Sequence, residues 1–332
     1  MSSLALTAEI KSWPMHEPFV IHGHRWDHVD VLTITLDKDV DGTIYSGRGE
    51  GAPVFYKNET ANDLLEAVEE HRSALEAGVS RSDLASINGL DGGARNALDC
   101  ALWDLEAKIE GKSIADLVGA PPLKPVPALV TVTLDTPEAM GAKAASYSSF
   151  PVLKLKLDGD EIVERVRAVR TARPDADIVI DANCAWDIDT LKSVADDLSG
   201  LGVKMVEQPL PASSDRDIDA TFPFPLCADE SCQTEDDLPS LVGKFQMINI
   251  KLDKCGGLTA ALALADKAQA MGFDLMVGNM LGTSLAMAPS HVIAQRCAFA
   301  DLDGPVSLIE DYPHGMAYDD AVIAPPTKDL WG

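Results

Sequence analysis

Eight short apolar runs in the C-terminal two-thirds of the chain each end on a polar or small residue, and the endings recur at a nearly constant interval. They are Thr131, Lys156, Asp181, Glu207, Asp229, Lys251, Gly278 and Asp301, separated by 25, 25, 26, 22, 22, 27 and 23 residues. The strands predicted to carry them are 129–133, 152–157, 178–182, 203–207, 225–229, 247–251, 274–278 and 298–301. Amphipathic helices fill the gaps, among them 160–172, 190–200 and 258–271. Alternation of this kind favours a parallel sheet, and eight repeats imply an α/β fold, a (β/α)8 TIM barrel with every strand opening on one mouth. After Asp301 there is no room for an eighth helix, so the expectation is a modified, (β/α)7β-like barrel.

The preceding part of the chain follows a different pattern. Residues 29–36 alternate as a strand should, Gly42 closes a turn, and a second strand runs through Tyr45. Helical stripes follow over 61–77 (Leu64, Leu65, Val68, Leu75) and 94–109 (Ala97, Leu98, Ala101, Leu102, Leu105). A proline-rich stretch, Pro121-Pro122-Leu123-Lys124-Pro125-Val126-Pro127, then marks a boundary. The expected division is an N-terminal α+β capping domain (1–122), a catalytic barrel (123–305) and a C-terminal segment (306–332) that returns to the cap.

In such a barrel the active site lies at the C-terminal ends of the strands, so charged residues there carry the argument. Asp181, Glu207 and Asp229 end three successive strands. Taken singly, each could be a helix cap or a loop charge. Together they would repel one another strongly, a conflict that a hard cation bound through oxygen removes; magnesium suits carboxylate, water and substrate oxygen. Lys154 and Lys156 end the strand before this trio and Lys251 the strand after it. Period-two alternation points Lys154 and Lys156 to one side, the interior. Two adjacent buried amines and a cation would lower the Lys156 pKa from about 10.4 toward about 7–8, the range of a catalytic base. Lys156 and Lys251 flank the carboxylates and should approach a substrate from opposite faces, which suits inversion of a stereocentre. Lys204, Lys244 and Lys254 are read as surface charges.

The net charge of −26 disfavours nucleic acid and anionic lipid as partners. No run of about 18 apolar residues offers a membrane span, and residues 1–13 do not pattern as a signal peptide. The six cysteines form no C-x-x-C pair, which fits a reducing cytoplasm.

The ordered set Lys154-x-Lys156, Asp181-Ala-Asn183 with Trp186, Glu207-Gln-Pro209, Asp229-Glu230-Ser231, Asn249-Ile-Lys251 and Gly256-Gly257 resembles the enolase superfamily, and within it the muconate-lactonizing-like subgroup. The resemblance implies one Mg2+ per subunit at Asp181, Glu207 and Asp229, holding a substrate carboxylate. It implies Lys156 and Lys251 as an acid/base pair acting through an enediolate that the cation and Lys154 stabilise. Asn183 and Glu230 would orient ligands and lysine, and loops at 22–28 and 52–59 would close over the substrate.

Asp301-Leu302-Asp303 followed by Gly304-Pro305 looks like dipeptide epimerases of the L-Ala-D/L-Glu type, where an Asp-x-Asp pair holds the ammonium of a dipeptide. Members with acidic substrates carry a capping-loop arginine, and both Arg25 and His24 match its place. His22, His24, Trp26 and His28 make this loop unusual; exposed, hydrogen-bonding histidines are preferred to a transition-metal cluster. The implied substrate is a dipeptide and the implied class an isomerase. A lyase or cycloisomerase of the same subgroup (o-succinylbenzoate synthase, muconate cycloisomerase) and a non-catalytic barrel stay as alternatives. Barrels of this family often associate, which leaves a homo-oligomer open.

Overall fold

A computed structural model describes residues 3–319 and 321–332. Met1 and Ser2, at the start of the segment read for a signal peptide, and Asp320 in the tail lie outside the described residues. The cap is a three-stranded antiparallel sheet, β1 (Ala5–Ile21), β2 (His24–Val40) and β3 (Thr43–Gly51), with helices α1 (Ala61–Glu76), α2 (Arg81–Leu84), α3 (Gly92–Glu110) and α4 (Ile114–Val118). Thr60 starts α1 with a capping box, its hydroxyl accepting from Asp63 N and its N–H donating to Asp63 Oδ2. The stripe Leu64, Val68, Leu75 then buries against the sheet, each side chain contributing about 1.5–3 kcal/mol.

β1 was not anticipated, and 22–28 is not a loop. It is the tip of a long β1–β2 hairpin, turned at Gly23 with φ +75°, and β2 begins at His24. The pairing shifts register between Pro14 and Phe19, so the alternation of β1 breaks there in the sequence as well.

The run Gly47-Arg48-Gly49-Glu50-Gly51 explains how α3 docks. The three glycines share one face of β3, and a Cβ on any of them would lie 2.0–2.2 Å from a main-chain oxygen of α3, at Ala101, Ala97 or Gly93. Only glycine permits that approach. Arg48 and Glu50 point the other way.

The rest of the chain carries β4 (Val126–Pro127), β5 (Leu129–Val132), α5 (Pro137–Ser146), β6 (Val152–Lys156), α6 (Ile162–Ala172), β7 (Asp177–Asp181), α7 (Ile188–Gly200), β8 (Val203–Glu207), β9 (Leu226–Ala228), α8 (Leu238–Leu241), β10 (Met247–Ile250), α9 (Leu252–Cys255), α10 (Leu258–Ala270), β11 (Asp274–Val277), α11 (Ser284–Ala294), β12 (Phe299–Ala300) and β13 (Val322–Ile323). β5 to β12 form one eight-stranded sheet in sequential order, every pair parallel. Leu129, Val152, Val179, Met205, Cys227, Met247, Met276 and Phe299, one from each strand, pack together inside it. That shared plug makes the sheet a barrel. The fold is thus the modified TIM barrel with an α+β cap that the strand spacing implied. The helical ring has gaps. After β8 there is only a 3-10 turn (Ala212–Asp217), and after β9 a single helical turn. Pro209, Pro211, Pro223, Pro225 and Pro239 lie in these stretches and limit helix growth.

The C-terminal segment lies on the cap. Trp331 Nε1 donates to Cys100 O at 3.0 Å, Gly332 N to Asp104 Oδ1 at 2.7 Å and Arg48 Nη2 to Asp329 O at 3.1 Å. Cap and barrel also meet through two buried carboxylates. Glu50 accepts from Thr283 N (2.8 Å) and Thr283 Oγ1 (2.7 Å), and Asp253 Oδ1 accepts from Ala52 N (2.9 Å) and Asn96 Nδ2 (2.8 Å). Burial pushes Glu50 up to about 7 and Asp253 up to about 6. A carboxyl whose folded pKa is raised keeps its proton when the unfolded chain has lost it, so its stabilising contribution is present in full below about pH 4.5 and is lost as pH rises to about 7. For Glu50 the loss is about 3 kcal/mol. Glu50→Gln retains both contacts to Thr283 without a charge. Its melting temperature should fall less between pH 5 and 7 than that of the parent, and parallel curves would contradict this.

Among the described residues no helix is long and apolar enough to cross a membrane, and all six cysteines are free.

Candidate active site

Strand alternation carries the site. Lys154 and Lys156 both enter the barrel interior from β6, 1% and 7% exposed. Asp181 and Glu207 end β7 and β8, Asp229 follows β9, and an oxygen from each lies within 4.8 Å of the others. Among the described residues this is the one His/Cys/Asp/Glu group with metal-holding geometry. The histidines of the hairpin tip do not form such a group. His28 lies 3.6 Å from Asp30, and His24 stacks on Trp26 and meets Phe55 edge-on.

The amines are distributed over the carboxylates. Lys154 Nζ lies 3.0 Å from Asp181 Oδ2 and 2.7 Å from both Glu207 Oε2 and Asp301 Oδ2. Lys156 Nζ donates to Asp181 Oδ2 at 2.6 Å, and Lys251 Nζ to Asp229 Oδ2 at 2.7 Å. Burial alone would lower Lys154 and Lys251, but the carboxylates around Lys154 (Asp181 first) and Asp229 beside Lys251 raise both above the ordinary lysine value. The repulsion expected between neighbouring amines is outweighed at Lys154.

The carboxylates divide the same way. Burial opposes ionisation of all three, yet Lys154 and Lys156 hold Asp181, and Lys251 and Lys254 hold Asp229, below the usual range. Glu207 is pushed up to about 7, by burial first and then by Asp181. Its Oε2 is buried without an aligned hydrogen bond, despite the nearby Lys154 amine. Three buried carboxylates with one under-satisfied oxygen fit a hard divalent cation: oxygen donors only, and a conflict of charge that the ion resolves.

Above the trio lies a cavity of about 350 Å³. Lys154, Lys156, Lys251, Asp229, Asp301 and Asp303 line it from the barrel, with Asn183 and Glu230 beside them. Phe19, Ile21, Arg25, Trp26 and Phe55 line it from the cap, and His24 does not. Arg25 is 60% exposed and lies 3.4 Å from Asp27. Asp303 accepts from Thr131 N at 2.6 Å and is pushed up to about 7 by burial and then Asp301, whose own Oδ1 is buried and unpartnered. An added ammonium would relieve both. Asn183 (φ +42°) and Cys184 (φ +64°) continue from β7 in the left-handed region, backbone strain of the kind that gathers at functional sites. Glu230 is pushed up to about 8 by burial and then Asp229, and its Oε2 has no partner.

The family description "Mandelate racemase / muconate lactonizing enzyme, N-terminal domain" matches residues 6–119, and "Enolase C-terminal domain-like" matches residues 138–328. The chain belongs to the enolase superfamily. An L-Ala-D/L-Glu epimerase of Escherichia coli is 42% identical over 93% of this chain and 95% of its own length. An N-acetyl-D-glutamate racemase of a Pseudoalteromonas species is 46% identical over 73% of this chain and 76% of its own. A solved structure of an enolase family member from Agrobacterium tumefaciens, with homology to dipeptide epimerases and holding sodium and L-Ala-L-Glu, superposes with TM-score 0.94 at 40% identity, over 99% of this chain and 100% of that one. By this kinship the enolase-superfamily chain is an enzyme of the isomerase class.

Of the three lysines expected at the surface, Lys254 is buried instead. Lys204 is exposed and Lys244 half-buried at the surface, but Lys254 is 4% exposed and bonded to Asp229. It sits three residues after Lys251, and the one-turn helix α9 carries it back under the strand ends. Asn249 and Gln208, which the motifs contain, hold the carboxylates in place. Asn249 Nδ2 donates to Glu207 Oε1 at 2.6 Å, while Gln208 Oε1 accepts from Asp229 N at 2.9 Å. The alternation that placed Lys156 inside also places Asn249 there, two residues before Lys251.

Proposed function

We propose that this isomerase is a magnesium-dependent dipeptide epimerase that inverts the α-carbon of the C-terminal residue, with L-Ala-D/L-Glu or a related L-Ala-L-Xaa dipeptide as substrate. The observation that carries the reading is the placement of two amines on opposite ends of the acidic trio, Lys156 on Asp181 and Lys251 on Asp229. In its neutral form one of them takes the α-proton, the C–H electron pair passing into an enediolate. The other, as an ammonium, returns a proton to the opposite face. Lys154 lies between Asp181, Glu207 and Asp301 and adds positive charge where the enediolate develops. Bound by Asp181, Glu207 and Asp229, one cation per subunit would hold the substrate carboxylate and stabilise the charge gained on proton loss.

Asp301 and Asp303 take the substrate ammonium, Asn183 and Glu230 orient the groups around them, and Arg25, rather than His24, meets an acidic side chain. In this reading residues 1–122 form the cap, 123–305 the catalytic barrel and 306–332 the returning segment. The free cysteines support a cytoplasmic setting. The named relatives are racemases and epimerases, which speaks against the lyase alternative. A non-catalytic descendant has no reason to keep buried opposite charges in register.

The test is a dipeptide library incubated with enzyme and magnesium in deuterated water and read for deuterium at the C-terminal α-carbon. Incorporation with loss of configuration is expected for L-Ala-Glu, and its absence across the library would end this reading. One observation favours a second substrate. Asp303 is bonded to Thr131 N and Asp301 to Lys154, so a neutral acyl amide can be seated beside a protonated Asp303, as an N-acylglutamate would require. Asp303→Asn separates the two. If a dipeptide is the substrate, its KM should rise about 10- to 100-fold, the worth of a charged hydrogen bond, with cation affinity unchanged. If N-acetylglutamate is the substrate, its KM should hardly move.

A further inference from the structure

We infer that Lys254 is a positioning residue that fixes the Asp229 carboxylate so that one of its oxygens is left to the cation; this rests on the cation reading above. An ammonium has three protons to donate, and Lys254 places all of them. Nζ lies 2.6 Å from Asp229 Oδ1, 2.7 Å from Asp229 O and 2.9 Å from Asn249 O. The side chain is 1% exposed and does not line the cavity above the trio, so no substrate atom reaches it. Its three acceptors belong to two strand ends, those of β9 and β10, at the point where Asp229 leaves one and Lys251 leaves the other.

The two lysines on Asp229 therefore do different things. Lys251 holds Oδ2 and lines the cavity, so its amine is free to leave when a cation or substrate arrives. Lys254 holds Oδ1 from below, anchored by the carbonyls of Asp229, which also accepts from Cys232 N at 3.0 Å, and of Asn249. With Oδ1 committed, rotation of the carboxylate about its Cβ–Cγ bond is blocked, and Oδ2 stays directed at the space shared with Asp181 and Glu207. The strand ends are tied together by the same three bonds. Groups that orient a metal ligand from behind usually contribute 10- to 100-fold to metal affinity.

The sign of the effect separates this role from the alternatives. Removing a positive charge near a cation site should, by Coulomb's law alone, tighten cation binding. A positioning role predicts the reverse for Lys254 and not for Lys251. The experiment is calorimetric titration of magnesium into the parent, Lys254→Met and Lys251→Met proteins, each melted beforehand to establish that it is folded. Expected are a magnesium Kd raised about 10- to 100-fold in Lys254→Met and unchanged or lowered in Lys251→Met. If Lys254→Met does not fold, the titration is run on Lys254→Gln, which keeps a donor for one carbonyl and should still bind magnesium at least about fivefold more weakly. A folded Lys254 variant with the parental Kd or a lower one overturns the inference, even with a lowered melting temperature, because that residue would then be structural only. A parent that takes up no divalent cation overturns the cation reading instead, before any variant is compared.

Discussion

Replacing Lys156 or Lys251 by alanine will abolish inversion, and the two variants will fail in complementary ways. Each lysine removed takes away one proton-transfer group, for which general acid–base catalysis supplies about 10²- to 10⁴-fold, or about 3 to 5 kcal/mol of barrier. Epimerisation needs both faces served in every turnover, so either loss should bring it to background. Exchange of the α-proton needs only one face. Each alanine variant should therefore still wash deuterium into one enantiomer of the C-terminal residue, with retention, and the other variant into the opposite enantiomer. The geometry behind this is the attachment of the two amines to carboxylates at opposite ends of the trio. Measured inversion at near-parental rate in either variant, or exchange of both enantiomers by the same one, would show that a single base suffices.

Stripping divalent cations should be nearly as damaging. Proton removal next to a carboxylate builds negative charge beside Asp181, Glu207 and Asp229, where burial and then Asp181 already push Glu207 up to about 7. Lys154 offers one positive charge against that, and it is shared among three carboxylates. A cation worth several kcal/mol of charge stabilisation corresponds to about a 10³-fold fall in kcat on chelation. Activity should return with added magnesium. The same addition should raise the melting temperature, since an ion bound only by the folded chain stabilises it by mass action. Full activity in chelator would remove the cation from the scheme, whereas a higher melting temperature without recovered turnover would leave it a structural ion.

The sequence foretold the barrel because closing a sheet forces a repeating length, and polar residues at the mouth mark each repeat. The trio and the lysines of β6 were legible for the same reason: an apolar run leaves little doubt about which way the residue after it faces. Legibility ended where tertiary contacts decide direction. Lys254 sits in a polar turn whose sequence reads as surface, and only the packing of α9 against α3 and the strand ends turns its amine inward. β1 was obscured because Pro14 and Pro18 and the register shift between them interrupt its alternation. The thinning of the outer ring after β8 and β9 is likewise hidden, since these segments are long enough for helices and only their prolines argue otherwise. Arg25 and His24 are equivalent in sequence, and only the folded hairpin sets Arg25, not His24, along the cavity.

The third strand of the cap is bound by strand parity. The strand Gly47 to Gly51 sends bare backbone to one neighbour and long charged arms to another, so its correctness depends on counting by twos. Deleting a single residue inside it would thrust Arg48 and Glu50 into the helix and offer glycines to Thr283 and the chain terminus. Removing two residues would keep the handedness of the arrangement and merely shorten its reach. Evolution can thus lengthen or trim this strand of the cap only in even steps.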